Sequence, residues 1–309
     1  MSHAQHTIQP DDTTGTTHFV RSYAKINLTL DVLGKRADGY HELATVMQTI
    51  DLYDTICLTA TEENTVHIIC SRPELSSEDN LAARAVQAVR QRLSLTQGVM
   101  IELYKHIPVA AGLGGGSSNA AAVLLALQQW WQLPLSSADL LDIAASLGSD
   151  VPFFLKGGLA LCEGRGEQVT PLAPRWPSTM RWLLLLKPSI GVSTATVFRH
   201  LPTSDYSDGS HSQAIRSALT AKSGLPLEEL HNDLERSVLE RYPEVAQARE
   251  DMLQAGASPV RLSGSGPTLF AMFSHLDVAV SVQQHLQAQG YELYLTRAIC
   301  PNGENITFF

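Results

Sequence analysis

The twelve residues Pro108-Val-Ala-Ala-Gly-Leu-Gly-Gly-Gly-Ser-Ser-Asn119 point most directly to chemistry. Gly112, Gly114, Gly115 and Gly116 fall within five positions, and the helix-forming run Ala120-Ala-Ala-Val-Leu-Leu-Ala-Leu127 follows at once. Glycine carries no Cβ, so the backbone can take φ > 0 and come close to a ligand. A helix begins with unpaired N–H groups and the positive end of its dipole. A glycine-rich loop feeding a helix therefore makes an anion site, most often for phosphate. Ser117 and Ser118 add hydroxyl donors at the mouth of that helix, and a Ser or Asn here also suits a cap. The plainer alternative is a flexible turn before an ordinary helix; four glycines followed by Ser-Ser-Asn speak against it.

The residues exclude several known phosphate loops. A Walker A loop ends in Gly-Lys-Ser/Thr, and there is no lysine here. The dinucleotide fingerprint needs a glycine three positions after Gly114, where Ser117 stands. No His-Arg-Asp or Asp-Phe-Gly occurs, so the chain is not a protein kinase.

Three further groups carry reactive side chains. Asp150, in Ser149-Asp-Val-Pro-Phe-Phe154, lies beside an apolar wall and suits a general base. It equally suits the cap of a short helix started by Pro152. Lys25 and Asn27 alternate with Ala24, Ile26 and Leu28, which places them on the polar face of a strand, roughly 7 Å apart. A half-exposed strand with a solvated lysine gives the same pattern. Tyr40 and His41 offer a flat ring and a donor–acceptor pair that can read a base edge, or they simply pack. His41-Glu-Leu-Ala-Thr45 misses the metalloprotease HExxH, because Thr45 cannot replace the second imidazole.

These groups need elements to hold them. Alternation from His18 predicts a first strand, followed by the turn Gly34–Gly39 and strands at 44–50, 55–60 and 65–70. Asn80 caps a helix with Leu81, Ala85, Val86, Val89 and Leu93 on one face. A strand over 99–104 leads into the glycine loop and its helix. Ser136-Ser-Ala-Asp139 is a capping box for the next helix, which Gly148 stops as a left-handed residue. A strand over 157–163 and the turn Gly164–Glu167 follow. Pro171, Pro174 and Pro177 mark a linker, with a boundary near 178. Beyond it come a strand (181–186), a short helix (193–200), a polar loop (202–212) and helices to about 256. A strand pair (260–263 and 268–274), a helix (278–289) and a last strand (291–297) complete a βαββαβ order with extra helices, the split βαβ arrangement.

The glycine loop resembles the nucleotide loop of the GHMP superfamily of small-molecule kinases. Gly-Gly-Gly-Ser-Ser-Asn-Ala-Ala is similar to the branch acting on a cytidine diphosphate-linked methylerythritol. Tyr23-Ala-Lys-Ile-Asn-Leu28, Asp38-Gly-Tyr-His41, Leu147-Gly-Ser-Asp-Val-Pro-Phe-Phe154 and Leu262-Ser-Gly-Ser-Gly-Pro-Thr-Leu-Phe270 resemble further segments of that family, so the likeness spans about residues 18 to 300. On its own, the last of these reads equally as a turn of small residues between two strands.

The resemblance implies an α+β GHMP-kinase fold, with an N-terminal ribosomal-S5-like nucleotide domain and a C-terminal ferredoxin-like domain. Met1–Thr17, polar and rich in His, Asp and Thr, reads as a disordered tail longer than the family needs, and the boundary near 178 then separates an ATP-binding and catalytic domain (18–178) from a substrate-binding domain (179–309). The resemblance also implies transfer of the ATP γ-phosphoryl to the 2-hydroxyl of the methylerythritol part, in the non-mevalonate route to isoprenoids. By the same likeness Lys25 and Asp150 are catalytic, with Asp150 the base. Pro108, Val109, Ala110, Ala111, Gly112, Leu113, Gly114, Gly115, Gly116, Ser117 and Ser118 hold ATP. Asn27, Tyr40, His41 and Phe198 hold the acceptor. Mg²⁺ accompanies ATP, and its protein ligands are left open, with Ser117 a candidate. Ala110-Ala111 departs from the family, where glycine often stands second. The rivals are another kinase of the superfamily, acting on homoserine, mevalonate or a sugar, and a non-catalytic nucleotide-binding protein on the same fold.

With 309 residues, 44% apolar and 17% charged, the chain has the composition of a globular protein of one large or two medium domains. A net charge of −9 disfavours a nucleic-acid surface but not a nucleotide site, whose field is set locally. Cys57, Cys70, Cys162 and Cys300 show no metal spacing and read as free thiols in a reducing compartment. There is no signal pattern and no run long enough for a membrane helix. The expectation is a cytoplasmic enzyme with a small-molecule substrate, a monomer or weak dimer without membrane or nucleic-acid partners.

Overall fold

In the computed structural model, which describes residues 16–172, 181–221 and 224–299, two long antiparallel strands come first, β1 (Thr17–Lys35) and β2 (His41–Thr61). The two strands expected at 44–50 and 55–60 are this single β2. Tyr53 pairs with Tyr23 and Ile50 with Ala24, so Asp51 and Leu52 form a bulge rather than a break.

Next come β3 (Val66–Cys70), α1 (Leu81–Leu93), β4 (Gly98–Tyr104), α2 (Gly115–Trp130), α3 (Ser137–Leu147), α4 (Val151–Lys156) and the hairpin β5 (Leu159–Gly164) and β6 (Gln168–Pro171). Past the bulge β2 pairs with β4, and before it with β5, so one strand serves two neighbours. The Asn80 cap and the Ser136–Asp139 capping box are both formed. Gly148 ends α3 in extended conformation, φ 172°, and not in the left-handed form expected of it. Its N–H still reaches the Ala144 carbonyl, and the chain turns straight into α4. Helices α1 to α4 close over one part of the sheet, around Ile56, Leu58, Ile101, Leu103, Val86 and Leu124.

The second half contains β7 (Trp182–Lys187), α5 (Thr194–His200), α6 (Ser210–Ala221), β8 (His231–Asn232), α7 (Leu234–Arg241), α8 (Pro243–Gln254), β9 (Val260–Leu262), β10 (Leu269–Phe273), α9 (Leu276–Gln287) and β11 (Glu292–Thr296). Its sheet is antiparallel in the order β11-β7-β10-β9, the split βαβ arrangement with α5 to α7 as insertions. The polar loop expected over 202–212 is shorter, since α6 begins at Ser210. The two-residue β8 leaves its own half and pairs in parallel with β1, Thr29 opposite His231 and Leu30 opposite Asn232.

The two sheets face each other. Ala24, Ile26 and Leu28 of β1 pack on Leu183 and Leu185 of β7 and on Phe270 and Met272 of β10. Leu184 and Leu186, alternating with them, join Val238, Met252, Val282 and Leu286 on the other side of the second sheet. Both faces of β7 are covered, which is why it reads as an unbroken apolar run.

The expectations of a disordered tail, of a boundary near 178 and of a thiol at Cys300 fall on residues 1–15, 173–180 and 300, which lie outside the described ones; β1 itself takes in Thr17. Cys57, Cys70 and Cys162 are free and buried. Among the described residues no helix is long and apolar enough to cross a membrane.

One glycine couples the halves. Gly112 has φ +74°, and a Cβ there would lie 2.2 Å from the Ser263 carbonyl oxygen. The Ser263 hydroxyl donates to the Gly112 carbonyl at 3.1 Å. Gly112→Ala combines a left-handed alanine, about 1–2 kcal/mol, with a backbone overlap, so a loss of about 2 kcal/mol or more is expected. Thermal unfolding of the variant checks it, and an unchanged midpoint would show that the two loops do not touch.

Candidate active site

The glycine loop joins β4 to α2. The Lys25 N–H donates to the Leu113 carbonyl at 3.0 Å and fastens the loop to β1. Gly114 is the N-cap of α2, and no side chain caps the helix, so its first N–H groups have no side-chain acceptor. The Ser or Asn cap expected here is not formed, because Ser117, Ser118 and Asn119 lie within α2. Pro108 through Ser117 all line one cavity of about 1070 Å³. Ser118 does not: its buried hydroxyl donates to the Tyr23 carbonyl at 2.6 Å. That expected ATP-binding residue instead anchors the helix to β1. Ala110 takes φ +51°, a left-handed conformation in a residue that carries a Cβ.

Lys25 and Asn27 sit where β1 passes beneath the loop. Both are buried, at 3% and 2% exposure, which excludes a solvated lysine. The Lys25 ammonium donates to Asn27 Oδ1 at 2.6 Å and lies 3.6 Å from Asp150 Oδ2. Asn27 in turn donates to Thr45 Oγ1 at 2.8 Å, which fixes its amide. Asp150 occupies the N-cap position of α4, but in a helical conformation that caps nothing. Its half-buried carboxylate faces the cavity instead. Gly264, from the turn between β9 and β10, closes over this pair, and a Cβ there would lie 3.2 Å from the Lys25 ammonium. The Cys162 thiol behind Asp150 is pushed well up by burial, then by the Asp150 charge, and stays protonated.

Tyr40, His41 and Phe198 line the other end of the same cavity. His41 stacks on Phe198 with ring centroids 5.1 Å apart, and its Nε2 lies 3.0 Å from the Tyr206 hydroxyl. Burial, and then the charge of Lys35, hold this imidazole below its ordinary range, so it is neutral at neutral pH. Tyr40 is 53% exposed at the rim, with the Arg165 guanidinium 4.9 Å from its ring centroid.

Sequence reasoning missed Arg165 and Lys105. Arg165 stands alone between two glycines of a turn, and no spacing links it to Tyr40. Lys105 lines the cavity beside Gly115 and pairs with the wholly buried Asp54. Asp54 also accepts the His106 and Ile107 N–H groups at 2.7 and 2.8 Å and the Asn119 amide at 2.9 Å. It thereby sets the entry to the glycine loop. Lys25, Lys35, Lys105, Arg165 and Arg199 line the cavity against Asp79 and Asp150. The cavity is thus locally cationic in an acidic chain. Opposed to the cationic centre are a loop shaped for phosphates and an aromatic wall at the far end.

The chain is similar to known proteins over most of its length. Residues 80–158 match the family described as GHMP kinases N terminal domain, and residues 215–292 match GHMP kinases C terminal. A 4-diphosphocytidyl-2-C-methyl-D-erythritol kinase of Geobacillus kaustophilus is 45% identical over 83% of this chain and 88% of its own length. A protein of the same name from Alkaliphilus metalliredigens is 38% identical over 90% of this chain and 96% of its own. A crystal structure of 4-(cytidine 5'-diphospho)-2C-methyl-D-erythritol kinase superposes with a TM-score of 0.77 at 33% identity, over 91% of this chain and 99% of the other. The homoserine kinase of Cytophaga hutchinsonii shares the fold, with a TM-score of 0.69 at 19% identity over 92% of this chain and 96% of its own.

The Asp54–Lys105 pair gives a test of the site's foundation. Asp54→Asn keeps the shape and removes the charge, leaving an ammonium whose side chain is 5% exposed without its counter-ion. Breaking a buried pair in this way costs about 3–5 kcal/mol. Denaturant unfolding of the variant measures the loss, and a loss below about 1 kcal/mol, the value of a surface pair, would show that Lys105 reaches solvent.

Proposed function

The chain belongs to the 4-diphosphocytidyl-2-C-methyl-D-erythritol kinases of the GHMP family, and from that premise we propose that it transfers the γ-phosphoryl group of ATP to the 2-hydroxyl of 4-diphosphocytidyl-2-C-methyl-D-erythritol, a step of the non-mevalonate route to isoprenoids. The observation that carries this reading is the shared cavity: the glycine loop, the Lys25–Asp150 pair and the Tyr40–His41–Phe198 wall all line it.

In this proposal the backbone N–H groups of the glycine loop and the start of α2 cradle the ATP phosphates. Phosphoryl transfer passes through a loose transition state, so catalysis is mostly positioning and charge stabilisation. Asp150 accepts the proton of the acceptor hydroxyl. Lys25, 3.6 Å from that carboxylate, holds it in place and faces the charge growing on the transferred group. Asn27, fixed by Lys25 and Thr45, orients the acceptor. Magnesium, when bound with ATP, would supply neutralisation of phosphate charge. The hard oxygen donors of Ser117 and Asp150, both lining the cavity, suit that ion, which usually keeps several waters and takes only one or two carboxylates.

Tyr40, His41 and Phe198 hold the cytosine, and Arg165, across the Tyr40 ring, stiffens that platform. Homoserine and mevalonate present no base to such a wall. A cytoplasmic setting, where thiols stay reduced, suits the free Cys57, Cys70 and Cys162. Turnover with the cytidine substrate beside homoserine and mevalonate tests the assignment, and preference for either of the latter would overturn it.

Two variants test the roles. Asp150→Asn should lower kcat by about 10²–10⁴ with the KM for ATP nearly unchanged, and near-normal turnover would remove Asp150 from the chemistry. Stacking on an aromatic ring is worth roughly 1–3 kcal/mol, so Tyr40→Ala should raise the KM for the cytidine substrate about tenfold while the KM for ATP holds. The reverse pattern would move these residues to the nucleotide end.

A further inference from the structure

Beyond the cavity, the polar face of β1 continues to Asp31, which meets His211 of α6 and His231 of β8. One ligand-capable atom from each of the three lies within 4.8 Å of the other two. We propose that Asp31, His211 and His231 form a binding site for a divalent transition cation of the zinc class, which clips α6 and β8 to β1.

The donor set is the first argument. Two imidazoles and one carboxylate suit zinc and its neighbours, and not magnesium or calcium, which prefer oxygen alone. The second is the shell behind the ligands. A metal-bound histidine usually gives its other ring nitrogen to a carboxylate. Here His211 Nδ1 lies 2.9 Å from Glu229 Oε2, and His231 Nε2 lies 2.6 Å from Asp233 Oδ1. Among the described residues both contacts leave the opposite ring nitrogen free for a ligand; the rings stack with centroids 4.1 Å apart at 22°, so one of them must turn for their in-plane lone pairs to converge on one ion.

The third argument is charge. Asp31 is 0% exposed and, among the described residues, makes no ion pair with Lys or Arg. Among the described residues its oxygens accept from Ser207 Oγ at 2.8 Å and from the Ser212 N–H and hydroxyl at 2.9 and 2.5 Å. Arg261, on the neighbouring β9, donates to the Leu230 and Val260 carbonyls. The groups able to carry positive charge beside this buried carboxylate are the two imidazoles themselves, and a divalent cation held between the three answers it more fully than either ring. Tetrahedral zinc with bonds of about 2.0–2.1 Å sets its ligand atoms roughly 3.4 Å apart. The site must therefore contract on binding, and the two half-buried imidazoles are the parts free to move.

The test uses the full chain, freed of metal by chelator and titrated with zinc in a calorimeter. One zinc per chain should bind at this site and raise the thermal midpoint, since a ligand of the native state alone stabilises it. His211→Gln and His231→Gln should each weaken that event about tenfold or more and abolish the shift in midpoint. The visible spectrum of the cobalt-loaded protein should report nitrogen and oxygen ligands in the wild type and lose intensity in both variants. His211 is half-buried near the start of its helix, so its variant keeps the test usable even if His231→Gln folds poorly. Absence of zinc binding in the wild type, or equal binding in the wild type and His211→Gln, overturns the proposal; the second result would place the metal elsewhere.

Discussion

A lysine that is 3% exposed must have its charge answered within hydrogen-bonding reach, and the centre of this molecule is arranged around that requirement. Lys25 cannot turn to water, because the apolar face of its strand lies against the second sheet while the glycine loop and α4 cover the other. Asn27 and Asp150 supply the answering oxygens, one from the same strand and one across the cleft. Gly114 and Gly264 pack on the same lysine: a Cβ at Gly114 would meet the Phe154 ring at 2.7 Å, and one at Gly264 would press on the ammonium at 3.2 Å. The low-dielectric setting that makes the buried charge demanding also makes it effective on a ligand brought beside it.

The electrostatics of the whole chain and of the cavity run in opposite directions. A net charge of −9 repels polyanions at long range, yet five cationic side chains gather around a single opening. Salt screens the first effect beyond about 8–10 Å and leaves the second largely intact. A small anion can therefore be held by a protein that a nucleic acid would avoid.

How legible this was in the amino-acid order depends on how far apart the partners stand. The glycine loop, the Asn80 and Ser136 caps and the split βαβ order rest on neighbours within a few residues, and the structure keeps them. Alternation in β1 placed Lys25 and Asn27 on one face but could not tell whether water or protein covered it, because the covering groups are the glycine loop, Asp150 and the Gly264 turn, all far along the chain. Ser118 looked like a ligand-facing hydroxyl until α2 was seen to start at Gly115, which rotates it toward Tyr23. The Asp54–Lys105 pair spans 51 residues and the Arg165–Tyr40 contact 125, and no periodicity reports on either. Gly148 misled for another reason: its extended φ is open to any residue, so glycine there carried no information about handedness.

Ala24, Ile26 and Leu28 lie directly on Leu183, Leu185, Phe270 and Met272, so neither half of the chain owns a complete interior. Separating the halves would wet both sheets at about 25 cal/mol for every Å² of apolar surface. Entry and exit of ligands then fall to the rim, where Tyr40 and the Arg165 turn stand at the mouth. The shared core thus holds the lobes like the jaws of a vise, and it assigns whatever yielding a ligand requires to the short turns at the slot.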